Sequence, residues 1–285
     1  MNSTNKKIAV IGGGVAGLLA AVTAADAGAE VFLFEKMNRV GLKMGITGKG
    51  RCNITNSAPI TDFISKTPGN GKFLFSAYHK FSNTDLLDLF HTWGLETKVE
   101  RGGRVFPASD SAQEVRRLFM QLLEEKHVKF HLSEPVLHIL TENKKVIAVQ
   151  TEKGRYSVDT VILCTGGKSY PRTGSTGDGY AMAAELGHTI VPVRPALVPL
   201  VCKESYCKEL QGLSLKKVTL SLSAGGRRKT EAFGEMLFTH FGVSGPIVLT
   251  QSDAVSLWLS RGYQVTGGID LKPALTEEVL DKRLL

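Results

Sequence analysis

The sequence predicts an α/β fold followed by a separate β-rich unit. Three stretches carry that prediction. Residues 6–36 read as strand, glycine turn, helix and second strand, the unit from which a parallel sheet is built. Residues 160–187 read as a further buried strand that stops at a run of small residues and is followed by a short helix. From Thr189 the character changes: prolines fall at 192, 195 and 199, and strand-like runs dominate.

In chain order, Ile8 to Ile11 is the first strand, and Val31 to Phe34, ending on Glu35, is the second. The turn after the first carries Gly12, Gly14 and Gly17. It fits G-x-G-x-x-G in the strand–turn–helix context that gives the pattern meaning. Gly12 allows the tight turn, Gly14 a close approach of backbone to a pyrophosphate, and Gly17 close packing of helix on strand. The N–H groups and positive dipole end of the helix beginning near Val15 would hold the phosphate. Glu35 stands 21 residues after Gly14, where an acid accepts hydrogen bonds from a ribose diol. An acid suits a free 2′-hydroxyl, so FAD or NAD fits better than NADP. A glycine-rich turn of an ordinary α/β domain would leave Glu35 unexplained.

With 285 residues, 42% hydrophobic and 22% charged, the chain can bury a substantial core and has the composition of a soluble globular protein. No stretch reaches the roughly eighteen apolar residues of a membrane span. Lys6 and Lys7, the apolar segment and Ala27-Gly28-Ala29 imitate a secretory signal. The glycine turn and second strand explain the same residues better, and the expected location is cytoplasmic. The formal charge of +8 favours anionic partners, nucleic acid among them, although mildly basic enzymes are common. The cysteines, Cys52, Cys164, Cys202 and Cys207, show no disulfide framework. Cys202 and Cys207 lack a second cysteine or histidine pair at zinc spacing, so no metal is expected.

Residues 37–59 read as neither helix nor strand. Glycines at 41, 45, 48 and 50 interleave with Lys43, Lys49 and Arg51, as in a loop laid along a nucleotide cofactor. Phe63 to Gly94 reads as helical, with Phe73, Phe75, Tyr78 and Phe81 expected in the core and an amphipathic run starting at Asn83. Glu100 to Ala112 reads as a loop, and Ser111 as the cap of a helix running to Lys126. Short strands follow as far as Cys164, with a hairpin turn at Gly154. The last of them breaks at Thr165-Gly166-Gly167. Gly177-Asp178-Gly179 then opens a helix, where Asp178 reads equally as a ligand carboxylate or a plain N-terminal cap. Beyond Thr189, Val198 to Cys202, Lys217 to Leu222 and Glu235 to Thr239 are expected strands, with a hairpin at 224–229. Pro246 falls in the first turn of a helix, and 271–285 reads as an amphipathic helix.

Four stretches together resemble one family: IGGGVAGLLAA at 11–21, TGKGRCNITN at 47–56, GGRVFPAS with TGGKSYPRTGSTGDGY at 102–109 and 165–180, and GEMLFTHFGVSGP at 234–246. The chain is similar to the bacterial flavoproteins of the BaiN/RdsA type, also described as aminoacetone-oxidase-like. The resemblance implies a Rossmann-like FAD-binding domain of the glutathione-reductase type, an inserted β-barrel-like substrate domain and a small helical subdomain. Here these would be residues 1–190, 191–271 and 272–285, the last only its start. It implies that Gly12, Gly14, Ala16 and Gly17 hold the FAD pyrophosphate and Glu35 the adenosine ribose. Lys36, Leu42, Lys43, Gly48, Arg51 and Asn53 would lie along the cofactor, and Val136 would present its backbone to adenine. Thr165, Gly166, Gly167, Gly177 and Asp178 would approach the ribityl and flavin side. Leu42 stands where the family often has a basic residue. Family members also run on past residue 285 with glycine-rich segments that grip the flavin ring, so a truncated form is expected.

Three function classes follow. In the first, an FAD-dependent oxidoreductase, NAD(P)H would reduce the flavin, which would pass hydride to a polarised C=C. The substrate would be a small-molecule enone, or uridine in ribosomal RNA, giving dihydrouridine. Arg227-Arg228-Lys229 and Lys216-Lys217 would contact RNA phosphates, or form a solvated hairpin tip. Cys52 and His240, both in glycine-rich loops, are the candidate proton donors. The second class is an amine oxidase that returns its electrons to oxygen as peroxide. The third is a nucleotide-binding fragment without catalysis.

Overall fold

Alternation along the first strands decides the layers. In the computed structural model, which describes residues 5–226 and 228–284 without the side chains of Arg228 and Leu284, the chain divides into two compact units, Met1–Ile190 and Val191–Leu285. The first runs β1 (Lys7–Ile11), α1 (Val15–Asp26), β2 (Glu30–Glu35), β3 (Thr55–Asn56), α2 (Ile60–Lys66), α3 (Phe75–Lys80), α4 (Asn83–Thr92), β4 (Thr97–Glu100), β5 (Arg104–Pro107), α5 (Ala112–Glu125), β6 (Lys129–Leu132), β7 (Val136–Glu142), β8 (Lys145–Thr151), β9 (Arg155–Ser157), β10 (Thr160–Leu163) and α6 (Asp178–Glu185). Strands β10, β1, β2 and β6 pair in that order into a parallel sheet. Two antiparallel sheets, β3-β5-β4 and β7-β8-β9, accompany it.

Successive strand residues face opposite sides of a sheet. On one side Val10 and Leu33 join Leu18 and Val22 of α1 and Val115, Phe119 and Leu123 of α5. On the other, Ala9, Ile11 and Phe34 meet Val136 and Ile139 of β7, Val149 of β8 and Met182 of α6. Apolar side chains are thus required on both faces, which is why β1 and β2 read as continuous apolar runs.

The middle of this unit departs from the sequence reading. The stretch 63–94 is helical only in part: it holds the short helices α2, α3 and α4, with a turn at 67–70 between the first two. Of the aromatics expected in the core, Phe73 and Phe75 are 80% and 54% exposed and Phe81 is exposed too. Tyr78 is half-buried, edge-on to Phe63 at 5.7 Å. In a two-turn helix, aromatic content does not say which face meets the core. The expected loop at 100–112 contains β5, whose Val105 pairs with Val99 of β4. Ser111 occupies the N-cap position of α5 without a side-chain cap, while the Ser109 hydroxyl bonds Glu114 in the first turn. β10 is partly exposed rather than buried.

Helix α4 has a reciprocal cap. The Ser82 hydroxyl accepts the Asp85 N–H (3.2 Å), and Asp85 Oδ2 accepts the Ser82 N–H (2.7 Å). Ser82→Ala is therefore expected to cost about 1 kcal/mol, read as a lower urea midpoint with an unchanged slope.

The second unit runs β11 (Leu200–Val201), α7 (Tyr206–Glu209), β12 (Ser214–Ala224), β13 (Arg228–Thr239), β14 (Gly242–Ser244), α8 (Pro246–Ser260), β15 (Val265–Asp270) and α9 (Glu277–Leu284). Its antiparallel sheet has the order β11-β14-β13-β12-β15. Val218, Leu220, Leu222, Met236 and Phe238 pack with Ile247, Val248, Val255 and Trp258 of α8. Pro246 opens that helix. A bulge between Leu215 and Val218 holds Lys217 at φ 56°, with Lys216 and Lys217 both exposed. Of the basic hairpin tip, Arg227 and the Arg228 side chain lie outside the described residues; Lys229 pairs with Glu231 at 3.0 Å. Among the described residues no helix is long and apolar enough to cross a membrane, and no three His, Cys, Asp or Glu side chains converge as a metal site.

Candidate functional site

The glycine turn after β1 contains two kinds of glycine. At Gly12 (φ 108°) a Cβ would lie 2.4 Å from the Cys164 carbonyl oxygen. At Gly17 it would lie 1.8 Å from the Gly12 carbonyl oxygen, so α1 packs on the turn only with glycine there. Gly14 differs. Its backbone is extended (φ −78°, ψ 179°), which any residue adopts, and a Cβ there would meet no atom within 4 Å. The protein's own packing does not require glycine at 14. Gly14 opens α1, whose first turn has no acidic residue and no side-chain cap.

Beside it, the Gly13 N–H donates to Glu35 Oε2 (2.7 Å) and the Met37 N–H donates to Oε1 (2.8 Å). The carboxylate at the end of β2 is held against the turn, with lone pairs left for further donors. Gly12, Gly13, Gly14 and Glu35 line a cavity of about 440 Å³ within the first unit.

Most residues singled out from the sequence lie on its wall: Gly12, Gly14, Ala16, Glu35, Lys36, Leu42, Lys43, Cys52, Asn53, Val136, Thr165, Gly166 and Asp178. Gly17, Gly48, Arg51, Gly167 and Gly177 do not. Gly48 faces the Phe106 ring, where a Cβ would be 2.6 Å away, and Gly177 is the N-cap of α6 with Lys168 against it. Arg51 is committed to Glu100 (2.7 Å) and Asp110 (3.3 Å), with its guanidinium 4.1 Å from the Phe106 ring centre. His240 belongs to the second unit and is exposed, its ring edge-on to Phe241.

The wall carries charge on both sides of the turn. Lys36 Nζ donates to Asp178 Oδ2 (2.6 Å) and to Thr176 Oγ1 (2.5 Å), tying the end of β2 to the start of α6. Burial alone would raise the Asp178 carboxyl, but the Lys36 ammonium and the Thr176 hydroxyl outweigh it and hold it below the usual carboxylate range. Asp178 is the first residue of α6, whose N-cap is Gly177, and its own backbone N–H helps the Lys36 ammonium and Thr176 hydroxyl hold the carboxylate. Cys52 is buried, with a left-handed backbone (φ 64°). Burial pushes its thiol up to about 11 against a smaller opposing bond from Thr47, so it stays protonated at neutral pH.

Glu134 is on the same wall and carries no signal in the sequence. It is 3% exposed yet ionised. Burial opposes the charge. The Thr151 (2.7 Å) and Tyr156 (2.8 Å) hydroxyls, His131 Nδ1 at 3.2 Å and the Lys153 ammonium (3.2 Å) win, and hold the carboxyl down to about 2. Its N–H donates to the Glu35 carbonyl (3.0 Å), which joins the end of β2 to the start of β7.

Fold and cavity define a Rossmann-type α/β protein whose open glycine turn sits at the carboxyl end of a parallel strand. The chain belongs to the HI0933-like protein Rossmann domain family, whose pattern it matches over residues 6–284. It is 34% identical over 271 residues to the 3-dehydro-bile acid delta(4,6)-reductase of Clostridium scindens, covering 94% of this chain and 65% of that protein. It is 29% identical over 273 residues to the ribosomal RNA dihydrouridine synthase of Escherichia coli, covering 94% of this chain and 66% of that one. The chain therefore spans just under two thirds of the length of these relatives. Among solved structures, the 3-ketosteroid-delta4-(5alpha)-dehydrogenase of Rhodococcus jostii RHA1 superposes with a TM-score of 0.51 at 16% identity, covering 75% of this chain and 61% of the other; this likeness is one of fold.

Proposed function

We propose that the protein is an FAD-dependent oxidoreductase that saturates a polarised C=C with electrons from NAD(P)H. One observation carries the cofactor assignment: Gly14 leaves open, at the uncapped start of α1, the space a side chain would fill. That is where a pyrophosphate needs both bare N–H donors and close backbone approach. Gly12, Gly14 and Ala16 would hold the pyrophosphate, and Glu35 the adenosine ribose. Val136 would back the adenine. Lys36, Leu42, Lys43 and Asn53 would run along the cofactor, and Thr165, Gly166 and Asp178 would flank its ribityl side. When bound, FAD supplies the hydride chemistry; the chain positions it and keeps water from it. Residues up to Ile190 form the cofactor domain, and those from Val191 the substrate domain and the start of a helical one.

The reductive direction rests on the relatives' names, a delta(4,6)-reductase and a dihydrouridine synthase, which share saturation of a carbon–carbon double bond. The substrate class is accordingly a conjugated enone or a uridine in ribosomal RNA. Of the two candidate proton donors, Cys52 stands on the cavity wall and is protonated at neutral pH.

An absorbance spectrum of the purified chain, before and after added FAD, tests the cofactor. A flavin band at one FAD per chain is expected, bleaching under anaerobic NAD(P)H and returning when an enone or uridine-containing RNA is added. A colourless chain that takes up no FAD would sink the assignment. Bleaching by a primary amine but not by NAD(P)H would replace the reductase with an amine oxidase.

A further inference from the structure

Between β3 and α4 the chain makes an excursion from the cavity. It leaves after Ile54 and returns by Leu86, both on the cavity wall. The Asn83 amide ties its base, donating to the Asn56 (2.7 Å) and Ala58 (3.1 Å) carbonyls. Inside it, α2, a tight turn at Gly71–Leu74 and α3 pack on one another. A Cβ at Gly71 would lie 2.1 Å from the Ile64 carbonyl oxygen, so the turn closes on α2 only with glycine there. This small packed unit turns its aromatics outward. Phe73, Phe75 and Phe81 are exposed, and the exposed His79 ring leans on Phe75, centres 4.1 Å apart. Lys72 and Lys80 stand among them, exposed and without an ion pair among the described residues. Across residues 57–82 Asp62 alone is acidic, and Lys66 pairs with it at 2.8 Å. An open groove of about 900 Å³ runs beside Phe75, with Thr61, Ser65, Thr67, Asn70 and Lys72 on its wall.

We infer that this excursion binds single-stranded RNA. Phe73 and Phe75 stack on bases, Lys72 and Lys80 meet phosphates, and the groove takes sugars and base edges. The inference deepens the RNA branch of the proposed function and rests on it.

The chemistry of the surface selects this occupant. Exposed rings interleaved with unpaired lysines match a polymer that alternates π-faces with negative charge. A second copy of this chain would set the lysines against one another, and like charges in an interface are costly. A membrane surface also takes aromatics and lysines. The hydroxyls and amide of the groove would then face acyl chains without hydrogen-bond partners, whereas ribose and base edges satisfy them. A duplex keeps its bases stacked inside, so only a single strand offers its π-faces to Phe73 and Phe75. The chain from this surface leads directly onto the cavity wall at both ends, so a strand held here lies next to the site rather than on the second unit.

Fluorescence anisotropy of the full chain with a labelled single-stranded RNA of about twelve nucleotides tests this, with neither FAD nor nicotinamide present. The same RNA annealed to its complement is expected to bind about tenfold more weakly. Phe73→Ala and Phe75→Ala are each expected to weaken single-strand binding about tenfold. Lys72→Gln and Lys80→Gln are each expected to lower the slope of log affinity against log salt by about 0.7. All four side chains are exposed and off the cavity wall, so the thermal midpoint and FAD uptake should stay native. The inference is overturned if the native chain binds no RNA, if the duplex binds as well as the single strand, or if both phenylalanine variants bind RNA as the native chain does. It is equally overturned if Phe73→Ala releases the chain from phosphatidylglycerol vesicles, or splits a dimer, while RNA binding is unchanged. A flavin that cycles in a chain that binds no RNA would remove this inference alone. A colourless chain that holds RNA through Phe73 and Phe75 would remove the flavin and keep the RNA surface.

Discussion

A Gly14→Asp chain is expected to unfold no earlier than the native one and to hold FAD roughly a hundredfold more weakly, about 3 kcal/mol of lost affinity. The two effects have one cause. Gly14 is the N-cap of α1, in an extended conformation that aspartate adopts without strain, with open space for its side chain. A carboxylate there accepts the first-turn N–H groups and suits the positive end of the helix, so the free protein gains a cap. Those are the N–H groups a pyrophosphate would use, and the ligand now meets a like charge as well. Gly14→Asn caps comparably without the charge and is expected to lose less affinity. Gly17→Ala is the counterpart. Its Cβ would fall 1.8 Å from the Gly12 carbonyl oxygen, backbone that cannot swing aside. Helix propensity returns about 1 kcal/mol for alanine, but pushing α1 off the turn costs more, and a net loss of about 2 kcal/mol is expected. Thermal unfolding of the FAD-free variants and FAD titration separate the cases. Native-like FAD affinity in Gly14→Asp would move the pyrophosphate away from this turn. Native stability in Gly17→Ala would mean that helix and turn are not in contact.

What the sequence made readable follows the range of the interactions. The βαβ unit and Glu35 are local: a turn, a helix and a strand fix their meaning within about thirty residues. Arg51 reads as a phosphate ligand from its glycine-rich neighbourhood, yet its partners Glu100 and Asp110 lie 49 and 59 positions on and hold it off the cavity wall. Glu134 is the opposite case. An acid before Pro135 in a strand-rich stretch looks like a solvated turn. Only the meeting of β6, β8 and β9 around it brings His131, Thr151, Lys153 and Tyr156 within reach. Phe73, Phe75 and Phe81 fail for a third reason: their composition is apolar, but Phe75 opens a helix of 6 residues and Phe73 and Phe81 lie just outside it, too short a stretch for periodicity to choose a face.

Glu134 is also where the largest single loss of stability is expected. Its carboxyl titrates at about 2 in the folded chain against an ordinary value of 4.5, although burial pulls the other way. Because the folded value is depressed, the stabilisation is complete above the ordinary carboxylate range and is lost as pH falls towards 2. The depression corresponds to about 3 kcal/mol at neutral pH. Glu134→Gln keeps the shape but removes the charge that the two hydroxyls, the imidazole and the Lys153 ammonium converge on. At pH 7 the variant is expected to be less stable by about 3 kcal/mol. At pH 3 roughly two thirds of the native advantage has gone, so the gap should narrow to about 1 kcal/mol. Denaturant unfolding followed by hydrogen exchange of the β1 and β2 amides reports on the first unit alone. A gap that stays constant from pH 7 to pH 3 would show that Glu134 acts by shape and hydrogen bonding rather than by charge. A gap that closes as described means that the charge of a group buried in the cavity wall, and bonded through its N–H to the Glu35 carbonyl, stabilises the junction between the end of β2 and the start of β7.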